Sequence, residues 1–427
     1  MLTTRRIFLG SLVATLALAG KAPAQEMRVL SARRAMKPLF PEPASPLEAF
    51  TFNESLPGPV LRVKLGEEVA LRLANELETP LALHWRGVRL ANAMDGAVPL
   101  TQAAIATGGS FDIAFTPPDA GTFLYHPSVR TQAAAQMARG LAGLLIVEEP
   151  KPPVVDLDLA LLLADWVEPD TSSPRVLANG ALDTDPIALA PGARIRLRLA
   201  SASTRRMMAI GVEGARVQVA AIDGQPCDLF EPVRQTLPLA PGARYDVFFD
   251  LPAQENGDTK LLLRGMSGAP DSSRTLVTFT TTGAARPALP PLENLPANPR
   301  LPEKIALEKS KRIDLTIEGE ATQGWRINGA PATDLPAKPL FAVKRGGPVT
   351  LGFINRTAAP QLMHVHGHVL RHMHLLDDGW EPYWRDSVIV PEGRTIRTAF
   401  VADNPGKWLI AGGFGVGDGP AGWFEVS

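Results

Sequence analysis

One stretch of this chain is written twice. Val63-Lys64-Leu65-Gly66 returns as Val343-Lys344-Arg345-Gly346, and at the same displacement of 280 residues His84 meets His364. Asn75 likewise meets Asn355, Pro80 meets Pro360 and Gly87 meets Gly367. Each copy reads as a strand, a glycine turn, an alternating strand (residues 69–73 and 349–353), and an Asn-containing turn before a histidine strand. A repeat at this distance marks one supersecondary unit used more than once. A weaker third copy lies between the two: Pro191-Gly192 turns into Ile195-Arg196-Leu197-Arg198-Leu199, with Ile210 in the histidine position. The middle unit therefore reads as a spacer.

Boundaries fall where the copies stop. Glu148-Glu149-Pro150-Lys151-Pro152-Pro153 separates the first two units, and the proline-rich stretch 283–302 separates the second from the third. The expected units are residues 26–150, 151–285 and 303–427, since 427 residues exceed one ordinary core. Short apolar runs punctuated by 40 prolines and 37 glycines point to strands and turns, hence an all-β fold. Lys plus Arg number 43 and Asp plus Glu 44, so no overall field favours nucleic acid or an anionic membrane surface. Cys227 is the single cysteine, which excludes an internal disulfide and a thiolate metal cluster.

Residues 1–24 read as an export signal. Thr4-Arg5-Arg6-Ile7-Phe8-Leu9 precedes an apolar run from Val13 to Ala19, and Ala22-Pro23-Ala24 offers a small-residue cleavage site. The paired arginines and Lys21 resemble the twin-arginine type and predict a periplasmic protein. The run is too short to span a bilayer, and no later segment is apolar enough, so no transmembrane segment is expected in the mature chain.

The motifs then carry a resemblance. His84-Trp85-Arg86-Gly87, Met94-Asp95-Gly96, Asp119-Ala120-Gly121-Thr122-Phe123-Leu124-Tyr125-His126, His364-Val365-His366-Gly367-His368, Arg385-Asp386-Ser387-Val388 and Asp403-Asn404-Pro405-Gly406-Lys407-Trp408 resemble the multicopper oxidase family. The resemblance covers nearly the whole mature chain and implies three cupredoxin-like Greek-key β-sandwich domains. In that family His-x-His motifs supply a trinuclear copper cluster, because alternate strand residues place both rings on one face. Here Arg86 replaces the second histidine of the first motif and Ser128 that of the second. His364 and His366 complete the third motif. The fourth is replaced by Ala411-Gly412-Gly413, which removes the blue-copper cysteine as well. By resemblance Gln361 and Gly417 stand in the other blue-copper histidine slots. The expectation is a protein without a type 1 copper site and with half of the cluster ligands, unable to turn over as a laccase does.

What remains is His84, His126, His364 and His366. By resemblance, His84 and His364 are the pair that holds a single type-2 copper between the first and last domains. One reading is therefore a residual metal site with a single copper ion. The other is a metal-free histidine cluster hydrogen-bonded to backbone and to Asp95, with no cofactor. Arg86 opposes a bound dication. His368, His372 and His374 share the parity of His364, but Gly367 suits a bend that would scatter them into structural or solvated roles. The function expected is a non-catalytic periplasmic structural or interaction protein, similar to the twin-arginine-exported cell-division protein of this family. The alternative is a residual copper-binding oxidoreductase. A copper-buffering role is less favoured because the methionines are scattered. Nothing in the sequence identifies a protein partner.

Overall fold

The computed structural model describes residues 27–40, 45–167, 174–204, 206–267, 273–320, 322–332, 335–374, 379–412 and 419–427. The expected export signal at 1–24 lies outside the described residues. Among those described, six β-sheets pair into three sandwiches, and no helix is long and apolar enough to cross a membrane.

The first sandwich opposes two four-stranded sheets. One runs in the order Leu47–Phe52, Arg28–Lys37, Val69–Asn75, Ser110–Phe115; the other runs Leu61–Lys64, Gly143–Glu148, Gly121–Pro127, Leu83–Arg86. Val69, Leu71 and Leu73 alternate with more exposed neighbours and meet Trp85, Phe123 and Tyr125 in the core. The third sandwich is a six-stranded sheet around Gly347–Asn355 facing a five-stranded sheet around Gly406–Gly412 and Gln361–Val365. All three units share one parallel pairing, with Leu30 beside Leu73, Leu161 beside Leu199, and Leu315 beside Phe353.

The sequence repeat has a physical reason at Asn75 and Asn355. Asn75 donates from Nδ2 to the carbonyls of Thr79 (3.0 Å) and Ile105 (2.9 Å), and its Oδ1 accepts from the Leu77 amide. Asn355 does the same for Ala359 (2.8 Å), Val390 (3.0 Å) and the Thr357 amide. Each buried amide thus satisfies the backbone of the turn that delivers the histidine strand, where an unpaired polar group would be costly.

The middle sandwich pairs six-stranded and five-stranded sheets and keeps Cys227 in its apolar core, where burial pushes the thiol up to about 12. It is more than a spacer. Every residue of Arg194–Ser201 is buried: Ile195, Leu197 and Leu199 face the core, while Arg196 and Arg198 lie under the first unit. Arg196 bonds Glu149 and Asp246, Arg198 bonds Asp158 and Asp246, and Thr122 of the first unit donates to Asp246 at 2.6 Å. Buried guanidinium groups survive there because each finds carboxylate partners.

Candidate metal centre

Strand pairing brings the histidines together. His84 lies on Leu83–Arg86, directly opposite His126 on Gly121–Pro127. His364 lies on Gln361–Val365 with Ser387 on one side and Ala411 on the other. Ala411 is therefore the third unit's counterpart of His126. His366 follows the strand, and its amide donates to the Leu409 carbonyl at 3.0 Å, which fixes it at the mouth of the same face. Gly367 then turns the chain with φ of 65°, against the Trp408 ring, where any side chain would collide.

The turn scatters the remaining histidines, as expected. His368 packs among Phe400, Trp408 and Phe424 with ring centroids 5.1, 5.5 and 5.3 Å away. His372 lies half-buried with Nδ1 3.9 Å from a Glu381 carboxylate oxygen, and the His374 amide bonds the Gly379 carbonyl.

Three imidazoles converge: the ligand atoms of His84, His364 and His366 all lie within 4.8 Å of one another. His84 Nε2 stands 3.0 Å from His364 Nε2, and the His84 and His366 rings lie 3.8 Å apart between centroids. His126 borders this group, its ring 5.5 Å from that of His84.

The tautomers follow from the acceptors. His84 Nδ1 faces the Asp95 carbonyl (3.0 Å), His364 Nδ1 the Asp386 carbonyl (2.8 Å), and His126 Nδ1 the Pro127 carbonyl (2.8 Å). His366 Nδ1 faces the Asp95 carboxylate at 2.8 Å. Those oxygens only accept, so each Nδ1 carries a proton and each ring turns its Nε2 away from its anchor. The His84 and His364 Nε2 atoms, facing at 3.0 Å, need a proton on one of them or a metal ion between them. Burial, followed by the Arg86 charge, holds His364 well below the usual imidazole range, and burial with the neighbouring His84 does the same for His126. Burial leads the shift of His366 to about 4 against the opposing pull of Asp95. These rings disfavour a proton there. Nδ1–H groups held by carbonyl or carboxylate, with Nε2 free, are the arrangement of metal-binding histidines, so the donor set fits a copper or zinc ion.

A second cluster crowds the same place. Arg86 donates from Nη2 to the Ser387 hydroxyl at 2.6 Å, with Nε 3.8 Å from the Asp386 carboxylate. Arg244 of the middle unit reaches the other Asp386 oxygen at 2.7 Å and bonds the Asp223 carbonyl. Burial would raise Asp386, but Arg244, His364 and Arg86 outweigh it and hold the carboxyl well below its usual range. Burial likewise opposes ionisation of Asp95, and the His366 and His84 rings overcome it. Ser128, which the resemblance puts in a histidine slot, donates to the Gly96 carbonyl at 2.7 Å.

Two positions that the resemblance assigns to the blue-copper site, Gln361 and Gly412, make other interactions. Gln361 is buried and donates to the Thr357 hydroxyl at 3.0 Å. At Gly412 a side chain would run into Met363 and the Leu362 carbonyl. Gly417, expected in the remaining blue-copper slot, and Gly413, expected in a cluster slot, lie outside the described residues.

The sequence singled out the four histidines and Arg86 as candidates and gave Asp95 a hydrogen-bonding role; three of those histidines converge and His126 borders them. Sequence reasoning missed Asp386, Ser387 and Arg244 as parts of the centre. The Arg385-Asp386-Ser387-Val388 motif was the available signal for two of them, whereas Arg244 follows an ordinary Pro-Gly turn.

Profiles described as multicopper oxidase match residues 36–152, 157–281 and 304–411. The multicopper oxidase MmcO of Mycobacterium tuberculosis is 28% identical over 460 aligned residues, covering 91% of this chain and 86% of that protein. Among solved structures, Lac15 from a marine microbial metagenome superimposes with a TM-score of 0.79 at 30% identity, covering 94% of this chain and all of that one (100%). A multi-copper oxidase from Pseudomonas thermotolerans gives a TM-score of 0.80 at 26% identity, covering 93% and 98%.

Proposed function

We propose, from the premise that this chain belongs to the multicopper oxidase family, that it does not perform the family's copper-to-copper electron transfer. It acts instead as an exported periplasmic structural or interaction protein of the cell envelope. The sequence resemblance to the exported cell-division protein of this family makes septation the first process to examine. The observation that carries this reading is Arg86. Its guanidinium stands at the repeat position of His366, is bonded to Ser387 and lies beside Asp386, so a fixed positive charge occupies ground where the resemblance puts a copper ligand. The filled surroundings of Gln361 and Gly412 support the same conclusion for the blue-copper site.

The test is turnover. Mature chain loaded with copper and freed of excess should oxidise neither phenols nor diamines and should show no intense blue absorbance. Oxidation accompanied by that absorbance overturns the reading.

A second reading has its own observation, the four Nδ1-anchored imidazoles. His84, His364 and His366, with His126 at their edge, would hold one copper ion between the first and third units. A copper ion bound there would supply a one-electron redox centre. The residues supply oriented donors, and Asp95 anchors Nδ1 of two of the rings, which is their metal-binding orientation. Metal analysis and electron-spin resonance should then find about one type-2 copper per chain. The signal should be lost in the double variant His84→Ala, His364→Ala. Retention of the signal in that variant removes this second reading.

A further inference from the structure

The histidine face borders a cavity of about 190 Å³. Leu124, Leu362, Leu409, Met137 and Ala133 give it an apolar wall, and its polar side holds Arg86, Arg130 and the four histidines. Among the described lining residues there is no carboxylate. Two polar needs are unmet there. Arg86 hydrogen-bonds only a neutral hydroxyl, because Arg244 takes the closer approach to Asp386 at 2.7 Å against 3.8 Å for Arg86. A guanidinium fork buried to this extent ordinarily pairs with two oxygens of one anion. His126 has its Nδ1–H on the Pro127 carbonyl, and its Nε2 is buried without a donor.

These two groups share one face. Arg86 pairs with Leu124 and His84 with His126 across the same two antiparallel strands, so Arg86 and His126 are diagonal neighbours, roughly 7 Å apart by ordinary sheet geometry. Gly242 of the middle unit, at φ of 73°, lies against the guanidinium, and a side chain there would displace it.

We infer that this cavity binds a small hydroxycarboxylate with a compact apolar body. The carboxylate lies on Arg86, the hydroxyl donates to His126 Nε2, and the body rests on Leu124, Leu362 and Leu409. The site goes beyond the function proposed above and does not depend on metal at His84, His364 and His366. A pocket with an apolar wall and a few convergent polar groups is the usual form of a small-molecule site.

Mandelate is the probe, titrated calorimetrically into the chelator-treated mature chain and repeated with zinc added. Saturable binding is expected in both states. Phenylacetate, which lacks the hydroxyl, should bind several-fold more weakly, and benzyl alcohol, which lacks the carboxylate, should not bind below about 10 mM. Arg86→Met should weaken mandelate at least about tenfold. If Arg86→Met does not fold, Ala133→Phe decides, because it fills the cavity from the helix Arg130–Ala138 without touching the guanidinium. That variant should fold and lose mandelate. Three results overturn the inference: no mandelate binding without zinc, equal binding of phenylacetate, or undiminished mandelate binding by a folded Arg86→Met. None of them alters the copper stoichiometry or the turnover test, so failure here is distinguishable from failure of the proposed function.

Discussion

Arg86 and His366 occupy equivalent positions in the two repeat copies, and each reaches across the interface to the other unit's aspartate. His366 Nδ1–H meets Asp95 at 2.8 Å, while Arg86 Nε lies 3.8 Å from Asp386. The centre is thus a pseudo-two-fold in which one imidazole has been exchanged for a guanidinium. Arg86→His should restore a neutral donor and remove the charge that opposes a second dication. Metal analysis should find more copper per chain in the variant than in the parent. The same change leaves the Ser387 hydroxyl and Asp386 with less compensation, and denaturant unfolding should show a loss of about 2 kcal/mol. An unchanged copper content would mean that the guanidinium is not what limits metal.

The paired asparagines give a prediction on stability alone. Asn75→Ala removes two bonds to backbone carbonyls in a buried turn, and Asn355→Ala removes three. Each should cost about 2 kcal/mol in chemical denaturation, and the double variant about the sum, since the two sites share no partner. A loss confined to one site would separate the copies in what they contribute.

Much of this was legible because periodicity survives in strands. The copies of Val-Lys-x-Gly, the asparagine turns and the histidine strands predict both the sandwiches and the faces that meet, since a residue's parity fixes the side of the sheet it occupies. Gly367 announced the bend that sends His368 into the aromatic core. Arg196 and Arg198 were not legible as buried groups. In sequence they alternate like any half-exposed strand, and their burial depends on a neighbouring unit that brings Glu149 and Thr122 against them. Arg244 escaped for the same reason, since its partner Asp386 comes from another unit.

His372 sets a pH dependence. Burial, reinforced by the Arg385 charge, pushes it down to about 4, whereas in the unfolded chain it titrates near the ordinary value of about 6.5. Between those values the unfolded chain binds a proton that the folded chain refuses. Folding stability is therefore full above about pH 6.5 and falls as the pH drops toward 4, by up to about 1.4 kcal/mol per pH unit. Urea unfolding of the metal-free chain at pH 7.5 and 5.0 should show this loss, and His372→Asn should reduce it. An equal pH dependence in the variant would assign the loss to other groups.

Asp95 tests whether the histidine tautomers matter. Its carboxylate receives the His366 Nδ1–H, its carbonyl receives that of His84, and the side chain has no exposure of its own (0%). In Asp95→Asn the carbonyl anchor of His84 stays, but the amide can turn its NH₂ toward His366. That ring would then move its proton to Nε2, where it blocks a metal. Copper or zinc affinity, measured by competition with a chelator, should fall about 10-fold to 100-fold, as for other residues that orient ligands from behind. The fold should persist, because the replacement keeps shape and removes a buried charge. If the centre is instead a metal-free cluster, Asp95→Asn changes only stability, and parent and variant compete equally poorly for metal. The comparison therefore separates a cluster that orders the interface by hydrogen bonds from one that orders it around an ion.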